Sequence, residues 1–149
     1  MKKLSLLTKL YFLAIVIFAV SSCETDEDPF IPSDNPPIIE LVSATGFISE
    51  DATLSGGETI NVKVSASQGT NPMNALTIYE DGTKVETSRL TVDGGTVGDA
   101  AILLLGDDKS SLTWDIAITG ADTDGTRNYE FEVTDEGQLT SSAFLSIST

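Results

Sequence analysis

The sequence predicts an all-β fold, a single antiparallel two-sheet sandwich of about seven strands over residues 38–149, set behind a short leader and a flexible stem. Three observations predict it. From position 38 onward the apolar residues recur at every second place rather than every third or fourth, and they are largely β-branched. Gly, Asp and Asn break this alternation at short intervals, as turns require. No stretch offers an amphipathic helix of useful length.

Residues 38–43 supply the first strand. In residues 58–66, Ile60, Val62, Val64 and Ala66 fall on one face while Asn61, Lys63 and Ser65 fall on the other, so one face is buried and one wet. The same phase groups Leu112, Trp114, Ile116 and Ile118, and again Tyr129, Phe131 and Val133. These three segments are the predicted central strands, with Trp114, Tyr129 and Phe131 in the core. Leu76 and Ile78 mark a strand that runs into Asp81 and Gly82, a two-residue hairpin turn, with residues 84–87 returning. Residues 89–92 form a short edge strand. Asp135, Glu136 and Gly137 turn the Tyr129 strand into a last one carrying Ala143, Leu145 and Ile147.

Residues 92–108 fit this pattern least. Gly94, Gly95 and Gly98 precede six apolar residues at 100–105, which read either as a buried strand or as a helical turn tucked over the open end of the sandwich. If exposed, they form an apolar patch of the kind that marks a partner surface.

Short strands in this number and spacing suit an immunoglobulin-like sandwich. The closing segment, with Tyr129, Phe131 and Val133, an Asp and Gly turn at 135–137, then Ser/Thr-rich alternation to Ile147, resembles the final hairpin of bacterial Ig-like and PKD-like extracellular modules. That resemblance covers about twenty residues and concerns fold. The tryptophan-centred signature of PKD modules is absent, since the chain continues from Trp114 through Asp115, Ile116, Ala117 and Ile118. It implies the broad Ig-like class alone.

The leader has its own logic. Lys2, Lys3 and Lys9 precede an uninterrupted run of 11 apolar residues at 10–20, then Ser21, Ser22 and Cys23, the three-part layout of a secretory signal peptide over residues 1–22. A stable membrane-crossing helix needs about 20 residues, so export describes this run better than a permanent span. The join from Val20 to Cys23 resembles the lipobox of bacterial lipoproteins, in which a small residue stands immediately before a cysteine. That resemblance implies cleavage between Ser22 and Cys23, lipidation of the Cys23 thiol and acylation of the new amino terminus. Each buried methylene contributes about 0.8 kcal/mol and one chain holds a protein only marginally, whereas two or three chains fix it to the membrane. The alternative is Cys23 as a small apolar residue just past an ordinary cleavage site.

Glu24, Asp26, Glu27 and Asp28 follow at once. They resemble the acidic export signal behind the lipidated cysteine of many Bacteroidota surface lipoproteins, which implies an outer-membrane protein facing the cell exterior. The alternative is a solvated spacer held off anionic headgroups. Pro29, Pro32, Pro36 and Pro37 then make residues 23–37 a stiff, extended tether.

Composition narrows the function. The chain of 149 residues has no His and one Cys, which removes Ser-His-Asp and Cys-His catalysis, His-containing zinc sites and any internal disulfide. From Cys23 onward five basic residues face 23 acidic ones, a net −18, a surface that repels phosphate backbones and argues against nucleic acid. Paired carboxylates need a cleft and a fixed separation that a small sandwich does not offer, so no enzyme is expected.

Calcium has more in its favour. Asp122, Asp124 and Gly125 begin like a calcium loop, and Asp107 with Asp108 would add oxygens if the fold brought the loops together. The pattern lacks the later ligands of an EF-hand, and an ordinary Asp/Gly turn accounts for the same residues. For a glycan, Tyr79, out of phase with Leu76 and Ile78, is the best exposed ring, with Phe47 behind it. Tyr129 is expected to satisfy its hydroxyl on nearby backbone, in the manner of a tyrosine corner. The leading expectation is thus a non-catalytic, membrane-anchored module that binds or organises an envelope protein or an extracellular glycan, accessory to nutrient capture and requiring no cofactor. The rival is a calcium-stabilised, adhesin-like domain.

Overall fold

The computed structural model describes residues 33–120 and 123–149. Residues 1–32, with Ser22 and Cys23, and residue Asp122 lie outside the described residues. The compact unit runs from Asp34 to Thr149.

Eleven strands build it: β1 (Ile38–Leu41), β2 (Ala52–Thr53), β3 (Thr59–Ser67), β4 (Met73–Glu80), β5 (Thr83–Lys84), β6 (Leu90–Val92), β7 (Gly95–Thr96), β8 (Ala101–Leu103), β9 (Ser111–Thr119), β10 (Thr126–Asp135) and β11 (Thr140–Ser148). Two single 3-10 turns, Thr87–Arg89 and Gly106–Lys109, interrupt them. A five-stranded sheet has the order β1-β3-β9-β6-β7, and a six-stranded sheet the order β2-β11-β10-β4-β5 with β8 also paired to β4. The count exceeds the seven expected because strands as short as β2, β7 and β8, of two or three residues each, carry no period of their own.

The long strands obey the phase read from the sequence. Ile60, Val62, Val64, Ile116 and Ile118 of the first sheet meet Leu76, Ile78, Phe131, Val133 and Leu145 of the second, all buried. Trp114 shares the inward phase and packs against this core, yet its ring is only half-buried. Indole is too large to be covered fully at most sites, and partial exposure leaves its N–H to water.

Two segments depart from expectation. The strand at β6 is not an edge: it lies between β9 and β7, because Asp93 and Gly94 (φ 48° and 75°) fold the chain back as a tight hairpin and add β7 outside it. The six apolar residues at 100–105 are neither a fully buried strand nor a helical turn. Residues 101–103 form β8, an edge strand on β4; Leu104 just beyond it is buried, while Leu103 and Leu105 are 65% and 72% exposed.

The predicted Asp81-Gly82 turn is present, with φ of 50° and 79° and Glu80 paired to Thr83. Both left-handed values suit a two-residue hairpin loop. Asp135 holds the last hairpin: wholly buried, its Oδ1 accepts the Leu139 N–H at 2.8 Å.

The compact unit also takes in the end of the stem. Pro37 is buried, the Asn35 N–H donates to Thr70 Oγ1 at 2.8 Å and the Thr70 N–H donates to the Asn35 carbonyl at 3.0 Å. Gly69 makes this clasp possible, since a Cβ there would lie 2.1 Å from the Asn35 oxygen. Gly69→Ala is therefore expected to lower stability by about 2 kcal/mol through forced backbone displacement. Gly98→Ala, at a position with nothing within 4 Å, serves as the near-neutral control in the same denaturant titration.

Candidate functional site

The candidate residues sit on the outer faces and ends of the sandwich. On the six-stranded sheet the register sets Phe144, Glu130, Tyr79 and Lys84 side by side across β11, β10, β4 and β5. Strands about 4.8 Å apart place the Phe144 and Tyr79 backbones about 10 Å from each other with Glu130 between. Phe144 is 69% exposed. Tyr79 is half-buried, and its hydroxyl donates to Glu132 Oε1 at 3.0 Å. Burial, then the bond to Glu132, pushes the Tyr79 phenol above its ordinary value, so the ring stays neutral and offers an apolar face rather than a charge.

Phe47 lies on the opposite side of the molecule, over the outer face of the five-stranded sheet. A turn closed by the Phe47 N–H on the Ala44 carbonyl and by the Ile48 N–H on the Asn61 carbonyl swings it there. Its ring forms one wall of a shallow cavity of about 280 Å³ whose floor is Asn61, Thr91 and Ala117. The Lys63 ammonium stands 4.5 Å from the ring centroid and is ion-paired with Asp115. One face of Phe47 is thus occupied by a cation. Tyr79 and Phe47 do not form one platform. Phe144 is the aromatic partner that the sequence reading passed over, although the inward phase of Ala143, Leu145 and Ile147 already turns it outward.

Asp107, Asp108 and Asp124, three of the aspartates proposed for calcium, are likewise not brought together. Asp107 and Asp108 lie in the 3-10 turn that precedes β9, and Asp124 follows β9 in an exposed loop. The nine residues of β9, at about 3.3 Å each, separate the two groups by about 30 Å. Among the described residues no three carboxylates cluster as a metal site.

The tightest polar network is structural and was not foreseen. Tyr129 is directly opposite Glu80 in the β10–β4 ladder, and its hydroxyl donates to Glu80 Oε1 at 2.6 Å rather than to backbone. Arg89 grips the same carboxylate with both terminal nitrogens, at 2.6 and 3.0 Å, and its Nε donates to the Thr119 carbonyl at 2.9 Å. The Arg89 bond, reinforced by the Tyr129 hydroxyl, holds the Glu80 carboxyl below the usual carboxylate range against the opposing effect of burial. Burial and the Glu80 contact drive the Tyr129 phenol far above its ordinary value. Three donors converge on this carboxylate and keep it ionised, which suits a structural tie between strands.

The similarities to known proteins concern the fold. No protein-family model and no curated protein sequence matches the chain. A conjugative transposon lipoprotein from Bacteroides eggerthii DSM 20697 superposes with a TM-score of 0.51 at 12% identity, over 76% of this chain and 98% of that one. The protein is an Ig-like β-sandwich. A family 123 glycoside hydrolase from Clostridium perfringens gives a TM-score of 0.50 at 12% identity, over 77% of this chain, which spans only 27% of the hydrolase. Fibronectin(III)-like modules of Clostridium thermocellum CbhA are more distant, with a TM-score of 0.45 at 10% identity over 75% of this chain and 96% of theirs.

Two outcomes follow from the Glu80 network. Tyr129→Phe removes a hydrogen bond to a half-buried charge and is expected to lower stability by about 1.5 kcal/mol in denaturant titration. Because the Glu80 pKa is depressed in the folded state, its contribution is present above the unfolded value of about 4.3 and is lost as pH falls through the folded value. Urea midpoints below about pH 4.3 should therefore fall less steeply with acid in Glu80→Gln than in the wild type.

Proposed function

We propose that the protein is a non-catalytic lipoprotein of the bacterial outer membrane, tethered through acyl chains on Cys23, that presents one Ig-like domain as a binding or structural module at the cell exterior. One observation carries the reading: a compact sandwich begins directly behind a leader, a lone cysteine and an acidic, proline-rich stem. The shallow outer faces and the use of the Glu80 carboxylate as a three-donor structural tie support a binding role over catalysis. The fold likeness to a Bacteroides lipoprotein of matching length supports the anchored, envelope setting.

The row of exposed Phe144 and half-buried Tyr79 around Glu130 is the face suited to a glycan or polypeptide, because flat aromatic rings take apolar sugar or side-chain faces while the carboxylate orients hydroxyls or amides. An accessory part in nutrient capture would use it. The calcium-stabilised reading has less support, since Asp107 and Asp108 stand at the other end of β9 from Asp124.

Acyl-chain labelling of cells should mark the wild type and leave Cys23→Ser unlabelled, and proteinase applied to intact cells should remove the domain. Labelling that survives the substitution defeats the anchor, and protection from the proteinase defeats the exterior assignment. Millimolar calcium or a chelator is expected to leave the melting temperature unchanged; a rise with calcium would restore the rival.

A further inference from the structure

We infer that β8 is an addition edge, a site where an extended segment of a partner protein, apolar at alternate positions and flanked by basic residues, joins the six-stranded sheet as one more strand. The inference deepens the binding-module reading by naming a surface and a chemistry for its partner.

The hydrogen-bond parity of β8 is set by the Leu104 N–H, which donates to the Asn74 carbonyl at 2.9 Å. In an antiparallel ladder the bonded positions alternate, so Ile102 and Leu104 face β4 while Ala101 and Leu103 direct their N–H and C=O groups away from it. The Ala101 N–H is taken by Asp99 Oδ1 at 3.1 Å. Among the described residues the Leu103 N–H and C=O have no protein partner. Leu103 and Leu105, 65% and 72% exposed, stand along the same open edge. A groove of about 350 Å³ lined by Val97, Ala101, Ile102 and Leu103 lies beside it, a receptacle for a side chain of an added strand.

Edges that must stay free are usually blunted with Lys, Pro or extreme shortness. The other edges here are so treated: β5 carries Lys84, β1 follows Pro36 and Pro37, and β2 and β7 have two residues each, whereas the three-residue β8 is prolonged by the Leu104 N–H on the Asn74 carbonyl. Residues 100–105 contain no charge and no proline.

Charge selects the occupant. Asp99 precedes β8 and Asp107 and Asp108 follow it, none of them paired with a basic residue among the described residues. Four of the five basic residues of the domain are ion-paired elsewhere, with Asp115, Glu80, Glu136 and Asp81. A second copy of a chain with net charge −15 would bring like charges together, whereas a segment with cationic flanks gains from the same field.

The test titrates the full lipidated chain, in detergent, into a fluorescein-labelled peptide of alternating valine and threonine with a lysine pair at each end. Polarisation should show saturable binding that weakens with salt. Leu103→Pro removes only the outward N–H, and Leu103→Lys sets a cation on the edge; each should weaken binding by about tenfold or more. Melting curves check that both variants fold, and Leu103→Lys carries the test alone if the proline variant does not. No binding by the wild type, equal affinity in a folded variant, or equal affinity for a glutamate-flanked peptide overturns the proposal. So does self-association in sedimentation that Leu103→Lys abolishes, which would give the edge to a second copy. Acyl labelling of the same preparations separates a failure of this site from a failure of the anchored-module reading.

Discussion

The Glu80 carboxylate is the point on which the two sheets are joined. The chain passes from the six-stranded sheet to the five-stranded one through the turn Thr87–Arg89, and nothing in those three residues is buried enough to hold the passage by apolar packing. Arg89 holds it instead, reaching back to Glu80 at the end of β4 and across to the Thr119 carbonyl at the end of β9. Tyr129 adds a bond from the centre of the core. A half-buried carboxylate with one donor would gain little; with a bidentate guanidinium and a phenol it becomes a clamp, provided that all three members are kept.

Much of the fold was legible because its long strands have one wet face. In β3, β9, β10 and β11 the sequence alternates, and the structure buries the phase that the alternation selects. The pattern fails in β4, where Ala75, Leu76, Thr77 and Ile78 are all buried, since neighbouring side chains cover the outer face too. It fails again at 100–105, where six apolar residues show no period although Leu103 and Leu105 are exposed and Leu104 between them is buried. Short strands such as β2 and β7 are created by their neighbours and leave no signature of their own.

Candidate functional residues can be picked from sequence only where their pattern is local. The order of charge, apolar run, small residues and cysteine around Cys23 is read within one stretch of chain. Pairing across strands is not: the meeting of Tyr129 with Glu80, and the distance that keeps Asp107 and Asp108 from Asp124, depend on register and strand length. Phe144 shows the middle case, an exposed ring that the phase of its own strand predicts once its neighbours are assigned inward.

The clasp of Asn35 on Thr70 gives the domain a mechanical character. A load arriving along the chain from before Asn35 is met first by two backbone-anchored hydrogen bonds and by the seating of Pro37, ahead of any rung shared by β1 and β3. Tension along that path would thus peel the few residues ahead of β1 while the sandwich stayed whole.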